Sequence, residues 1–253
     1  MLINMPTILK VNISNHFQWR NIILRLFWLV IMSLAFAELF FLGHHDPVAY
    51  KAYIVVLCAT IVIAGNLIYP DKLLSRLQPA RRFLIWSIIL ACIAFFSLLL
   101  GNNIKTDFST CALMALAVFN LSFFMCCTGH LFMATNKGSH PAQMTFTMVM
   151  VLTTLPVWLG PLIDSLPLYQ GVIDLIISAS PLTHLAAMAD FDYLRSQWFY
   201  EHTPYGTIQY SYPTKLGLSI CYSGLSLALL WASAFIEKNA SFHHNNIHLQ
   251  GEK

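Results

Sequence analysis

Residues 155–213 decide how this chain folds, and they read LPVWLGPLIDSLPLYQGVIDLIISASPLTHLAAMADFDYLRSQWFYEHTPYGTIQYSYP. The stretch holds six of the eleven prolines and five of the eleven acidic residues. Within it, residues 168–187 are apolar, but Asp174 interrupts the run and Ser180 and Pro181 divide it. Proline removes a backbone donor and clashes with the preceding turn, so one straight helix is disfavoured. We expect two short helices that meet at the proline.

Each half of this hairpin is too short to cross a bilayer of about 30 Å, which takes roughly 20 helical residues. Broken backbone at membrane depth is stable only when it is buried against protein or faces a water-filled cavity. The pattern therefore predicts a hairpin that enters one leaflet and returns, held by a helix bundle. A wet, aromatic-rich loop over residues 190–212 is expected to follow it, so that hairpin and loop together occupy residues 164–213.

The composition is that of a polytopic membrane protein. Hydrophobic residues make up 57% of the chain and charged residues 10%, whereas soluble domains carry about 25% charge. The net charge of +3 comes without a basic patch interleaved with aromatic residues, which argues against nucleic acid as a partner. The six cysteines lie in apolar segments without CxxC spacing, and we expect them to be buried hydrophobic residues.

The apolar runs predict one all-α transmembrane domain over residues 1–253, with six spanning helices. An interfacial helix is expected over residues 1–20, which lack the features of a signal peptide. A polar tail is expected over residues 237–253. The predicted spans are residues 21–42, 48–69, 83–100, 108–134, 142–162 and 216–236.

Basic residues predict the orientation, because cytoplasmic flanks collect Lys and Arg. With six spans and a cytoplasmic N-terminus, ten basic residues lie inside and four outside, so both termini are expected in the cytoplasm and the hairpin outside. The inner set is Lys10, Arg20, Arg25, Lys72, Arg76, Arg81, Arg82, Lys137, Lys238 and Lys253, and the outer set is Lys51, Lys105, Arg195 and Lys215.

Three polar residues inside the spans are candidates for lining a path. A carboxylate within a span costs a few kcal/mol or more, so Glu38 either marks a polar pathway or reaches the outer interface. Both interpretations remain open. Asn66 and Asn120, on the second and fourth spans, are expected to form interhelical hydrogen bonds.

The inner loop over residues 71–82 places three leucines at helical spacing among four basic residues. The positive-inside bias alone explains the charge as a membrane anchor. The alternative is an amphipathic helix that docks a cytoplasmic partner. The residues concerned are Lys72, Leu73, Leu74, Arg76, Leu77, Arg81 and Arg82.

The ten histidines raise the possibility of a metal or haem site. Haem needs axial ligands that face each other at one depth, and no two histidines share the hydrocarbon core in this topology. The outward set (His44, His45, His184 and His202) lacks ligand spacing, so we expect no metal and no cofactor. The sequence also lacks a P-loop, HExxH and GxSxG, which predicts a non-enzymatic chain without a nucleotide site of its own.

The arrangement of an interfacial helix, six spans, an inner amphipathic loop and an outer broken hairpin resembles the membrane subunit of type-2 ATP-binding-cassette exporters. The most specific part is the sequence SPLTHL at residues 180–185, in which Ser180, Pro181 and His184 lie at the bend. The segment from Tyr193 onward is also similar to members grouped with multicopper-enzyme maturation or gliding systems.

The resemblance implies a permease subunit in a bacterial inner membrane. Two copies, or one copy and a paralogue, would surround a path and rest on a separate cytoplasmic ATPase, with residues 71–82 as the coupling helix. Two alternatives remain: a membrane metal-handling protein or metalloenzyme that uses the outward histidines, and a non-catalytic subunit of a larger membrane complex. The sequence does not identify a substrate.

Overall fold

The computed structural model of the chain describes residues 47–67, 78–100, 107–135, 141–165, 170–196, 201–203, 205 and 210–250. These residues form helices and no strand, as the all-α prediction requires. The helices are α1 (Pro47–Leu67), α2 (Pro79–Leu100), α3 (Phe108–Thr135), α4 (Pro141–Ser165), α5 (Gln170–Ala179), α6 (Pro181–Met188) and α7 (Lys215–Gln250), with a 3-10 turn at Tyr193–Arg195.

Five of these helices are long and apolar enough to cross a membrane, and the bent pair α5–α6 makes up to six if it is counted as one span. This arrangement is compatible with an integral membrane protein. The five are α1 to α4 and the first 25 residues of α7, Lys215–Asn239, and they correspond to the second to sixth predicted spans. The predicted interfacial helix and the first predicted span, residues 1–20 and 21–42, lie outside the described residues.

Two helix boundaries differ from the sequence-based expectation. Helix α2 begins at Pro79 instead of residue 83, because proline at the first helical position has no intrahelical donor to lose. Arg81 and Arg82 therefore belong to a spanning helix rather than to a separate loop. Helix α7 continues to Gln250, so most of the tail predicted over residues 237–253 is helical.

Helix α3 lies at the centre of the bundle and packs against α1, α2, α4, α6 and α7. Six consecutive residues of α3, 120–125, are buried, so this part of the helix contacts protein on every side. A helix that is apolar all round is expected in such a position. Helices α4 and α7 are the least buried of the five and lie at the periphery.

Helices α1 and α2 approach closely at a glycine. A Cβ atom placed on Gly65 of α1 would lie 2.4 Å from Cδ2 of Leu90 on α2, well inside van der Waals contact. Leu90 is itself fully buried, which limits how far its side chain can move away. Small residues permit this kind of close backbone approach between membrane helices.

The predicted helix break is present in the structure. Helices α5 and α6 contain ten and eight residues and are bent relative to each other by 85°. Ser180 at the break has extended backbone angles (φ −77°, ψ 124°), and Pro181 opens α6. The expectation of two short helices that meet at the proline is therefore confirmed.

Substituting Gly65 with leucine is expected to destabilise the bundle by about 1–3 kcal/mol, the usual cost of overpacking a core. The matched control is Gly224→Leu, because a Cβ on Gly224 of α7 meets no atom within 4 Å. Unfolding free energies of the two variants in the same detergent measure the difference. Equal unfolding free energies would show that α1 and α2 can move apart without loss of stability.

Candidate functional site

The bend between α5 and α6 is bonded to two spanning helices. The Ser180 hydroxyl donates a hydrogen bond to the Thr153 carbonyl of α4 (3.2 Å). The Tyr222 hydroxyl of α7 donates to the Ala179 carbonyl (3.1 Å), which the helix break leaves without an intrahelical partner. Side chains therefore form hydrogen bonds with backbone groups at the bend, where unpaired backbone groups in an apolar environment would destabilise the fold.

Helix α6 is buried on nearly every side, including its polar residues. The Thr183 and Tyr193 hydroxyl groups share a hydrogen bond of 3.1 Å. The His184 imidazole is fully buried and stacks on the Tyr222 ring, with centroids 5.0 Å apart and planes inclined by 27°. Neither His184 ring nitrogen has a hydrogen-bond partner among the described residues.

Asp190, just after α6, joins three parts of the chain. Its φ of 51° is left-handed, a conformation that aspartate tolerates better than most residues. Lys51 Nζ of α1 donates to the Asp190 carbonyl (2.9 Å), and Lys215 Nζ at the start of α7 donates to its carboxylate (2.7 Å). The end of the hairpin is thereby fixed to the N-terminal ends of α1 and α7.

The loop after Asp190 is organised by Asp192. Its carboxylate accepts hydrogen bonds from the Leu194 amide (3.2 Å) and from the Tyr210 hydroxyl (3.0 Å). The Arg195 guanidinium lies over the Tyr210 ring, 5.5 Å from its centroid. Burial raises the pKa of the Tyr210 phenol, and the nearby Asp192 carboxylate raises it further, so this phenol remains a hydrogen-bond donor at neutral pH.

The described part of this loop is packed at its aromatic residues and exposed at most of its charged ones, so the expectation of a wet segment holds only in part. Four of its residues are at least nine-tenths buried, and they belong to the same apolar core as the spans. The physical reason is that tyrosine offers a large apolar ring with one polar tip, so it can be buried once its hydroxyl finds a partner. The four are Tyr193, Leu194, Tyr205 and Tyr210.

Asp174 connects the first half of the hairpin to the loop. Its carboxylate accepts a hydrogen bond from the Ser211 amide at 2.9 Å. The sequence indicated Asp174 only as an interruption of an apolar run. Its partner lies 37 residues away, so no local pattern could identify the contact.

Asn66 and Asn120 form the interhelical hydrogen bonds expected of them. Asn66 Oδ1 accepts from Cys126 Sγ (3.3 Å), which joins α1 to α3. Asn120 Oδ1 accepts from Ser223 Oγ (3.1 Å), which joins α3 to α7. The two asparagines lie in different helix interfaces and do not form one cluster. Glu38, the third candidate for the path, lies outside the described residues.

The opposite end of the bundle carries the start of α2. The Arg82 guanidinium lies over the Phe83 ring at 5.8 Å, and Arg81 is exposed. His130 of α3 contacts the Phe83 ring and lies 3.5 Å from the Glu237 carboxylate of α7, a contact that the sequence analysis missed. The other coupling candidates lie outside the described residues: Lys72, Leu73, Leu74, Arg76 and Leu77.

The outward histidines occupy different environments where the structure describes them. His184 is buried against Tyr222, whereas His202 is exposed. His44 and His45 lie outside the described residues. Among the residues that the structure describes, no three His, Cys, Asp or Glu side chains are grouped so that they could hold a metal ion.

Replacing Tyr210 with phenylalanine is expected to loosen the loop more than the same change at Tyr212. Tyr210 donates to the charged Asp192, whereas Tyr212 donates to the Phe191 carbonyl (3.2 Å), and hydrogen bonds to charged groups are the stronger class. We expect losses of about 1.5 kcal/mol or more for Tyr210→Phe and about 0.5–1 kcal/mol for Tyr212→Phe. Unfolding free energies measure both, and equal losses would show that solvent replaces Tyr210 at the carboxylate.

No protein-family model, curated protein or solved structure matches this chain. Its function is therefore inferred from the geometry of the bundle. The main elements are five helices long enough to span a membrane, a bent helix pair packed into one end, and basic residues at the other end.

Proposed function

We propose that this chain is the permease subunit of an ATP-driven exporter, with a separate cytoplasmic ATPase as its partner. The observation that carries the proposal is the bent pair α5–α6 between the last two long helices, packed into one end of the bundle. Its halves have ten and eight residues and are bent by 85°, so neither half is long enough to cross a bilayer. In this proposal the pair is a re-entrant hairpin that closes the outer end of the transport path.

The peripheral helices support an arrangement of several subunits in lipid. Helices α4 and α7 expose large apolar side chains along their lengths, including Trp158, Trp231 and Phe235. A bilayer covers such residues without cost, and a second copy or a paralogue would cover part of the same surface. In the proposal, two subunits enclose the path between them.

The distribution of charge supports cytoplasmic termini in a bacterial inner membrane. Three of the four basic residues expected outside contact Asp190 or Asp192: Lys51, Arg195 and Lys215. These contacts explain why positive charge is tolerated at the hairpin end. At the opposite end the structure describes Arg81 and Arg82 in the first turn of α2, and the proposal places this end in the cytoplasm, where flanks collect such residues.

Coupling to the ATPase is assigned to residues 71–82. Arg81 and Arg82 lie in the first turn of α2, so a force applied to the preceding segment would act directly on a spanning helix. Helix α2 packs along α3, the central helix, which also contacts α6. In this proposal ATP-driven movement at the basic end reaches the hairpin through α3.

Single cysteines at Gln78 and Ser211, in a background without native cysteines, test whether the hairpin crosses. The helices of membrane-spanning length described between these positions are α2, α3 and α4, together with the bent pair. Three crossings place the two cysteines on opposite sides of the membrane, and four place them on the same side. We expect a membrane-impermeant maleimide, applied to intact cells, to label the cysteine at position 211 but not the one at position 78. Labelling of both cysteines from the same side would contradict the re-entrant hairpin, whether or not residues 21–42 cross the membrane.

Purification with native partners tests the coupling. The double variant Leu73→Asp and Leu77→Asp removes the apolar face of the inner loop, and Ser75→Asp adds a negative charge while retaining those leucines. We expect the wild type and Ser75→Asp to copurify with an ATPase whose turnover they alter, and the double variant to lose both properties. Unchanged copurification and ATP turnover in the double variant would show that the loop serves only as a membrane anchor.

The same purification also distinguishes the proposal from the alternative of a non-catalytic subunit. A stable assembly that contains no ATPase would favour a non-catalytic subunit of a larger membrane complex. A metal-handling role that uses four outward histidines has less support, because His184 is fully buried and stacked on Tyr222. That role would require α6 to leave its position before His184 could meet His202.

A further inference from the structure

His184 is an unusual residue to find at the centre of a packed hairpin. It is fully buried, and both ring nitrogens lie without a hydrogen-bond partner among the described residues. Buried polar groups are normally paired, and an unpaired one in a native structure calls for a functional or physical explanation. Its ring stacks on that of Tyr222.

The described carboxylates that flank α6 in the sequence are bonded to groups other than this imidazole. Asp174 is bonded to the Ser211 amide, Asp190 to Lys215, and Asp192 to Tyr210. The titratable or charged side chains described on the elements packed against α6, and in the loop that follows it, are Tyr50, Lys51, Tyr53, Cys58, Cys111, Cys126, Cys127, His130, Asp174, Asp190, Asp192, Tyr193, Arg195, Glu201, His202, Tyr205, Tyr210, Tyr212, Lys215, Cys221, Tyr222, Glu237 and Lys238.

The neutral imidazole therefore fits its site and the protonated one does not. Stacking on an aromatic ring and complete burial suit an uncharged ring. A proton would create a buried cation without a hydrogen-bonded acceptor, which is disfavoured much more strongly than the same charge in water. A histidine that reaches water binds its proton readily as the pH falls below about 6.5.

We propose that His184 is a proton-binding site of the hairpin, and that binding the proton releases α6 from the bundle. The inference rests on the proposed function in one respect, that the hairpin faces the outer compartment. The packed hairpin holds His184 neutral, whereas the released hairpin lets it bind a proton. The packed form is therefore fully stable above the pH at which an exposed histidine titrates, and it loses stability as the pH falls below that value.

The contacts at the two ends of α6 determine which helices it would separate from on release. The hydrogen bonds of Ser180 and Tyr222 hold the bend, and the lysines on Asp190 hold the other end. These contacts join α6 to α1, α4 and α7, so its release separates the hairpin from three helices at once. In an exporter, such a step opens the outer end of the path toward an acidic exterior.

Hydrogen–deuterium exchange of the purified protein in lipid nanodiscs tests the proposal without substrate, ATP or the ATPase. Labelling times are scaled to the intrinsic exchange rate at each pH. We expect the opening constant of residues 181–189 to be flat above about pH 6.5 and to rise by up to about tenfold per pH unit below it. Residues 114–125, in the buried part of α3, should show no such rise.

Two variants identify the group that binds the proton. His184→Phe keeps a flat ring for the stack on Tyr222 but takes no proton, and His184→Gln keeps a polar side chain without a titration. We expect both to remain protected at neutral pH and to lose the acid response. His202→Gln makes the same chemical change at an exposed position and should respond like the wild type.

A flat wild-type response, or an equal rise in the His184 variants, overturns the proposal. Should both variants be unprotected at neutral pH, the pH at which the wild-type rise begins decides the question. A rise that begins near about pH 6.5 supports the imidazole, and one that begins near about pH 4 overturns the proposal, because carboxyl groups titrate there. None of these results depends on whether an ATPase copurifies.

Discussion

A helix that breaks inside an apolar bundle must find new partners for the backbone groups that the break exposes. At the bend between α5 and α6, Tyr222 supplies a donor to the Ala179 carbonyl, and Ser180 donates to α4. These bonds require α4 and α7 to lie on either side of the hairpin. The bend thus joins the two peripheral helices, and α3 packs against both of them and against α6.

The two ends of the bundle differ in chemistry as a result. One end is closed by a buried helix and by a loop whose acids are bonded to Lys51, Lys215 and Tyr210. The other carries the first turn of α2, with exposed Arg81, and the contact between His130 and Glu237. A permease driven from the cytoplasm needs such a division, because one end must receive the partner and the other must regulate the exit. This asymmetry supports the proposed function, which the bent pair α5–α6 carries.

Local sequence patterns were enough to predict the elements but not their mutual contacts. The break at Pro181 follows from the geometry of proline, and the long helices follow from apolar runs of membrane-spanning length. The burial of His184 was not predictable, because α6 is buried nearly all round and therefore shows no polar face in its sequence. The loop was expected to be wet because its polar atoms are visible in the sequence, whereas the Asp192–Tyr210 pair that allows its burial spans 18 residues.

Several polar contacts of this bundle join residues that are far apart in the sequence, and this affects the order in which they can form. Asn66 and Cys126 are 60 residues apart, Asn120 and Ser223 are 103 apart, and Lys51 and Asp190 are 139 apart. Chains are synthesised from the N-terminus, so α1 enters the bilayer long before its lysine can meet Asp190. Before α7 is made, α1, α2 and α3 can already pack together and form the bond between Asn66 and Cys126. The bond from Tyr222 to the bend can form only after α7 has been synthesised.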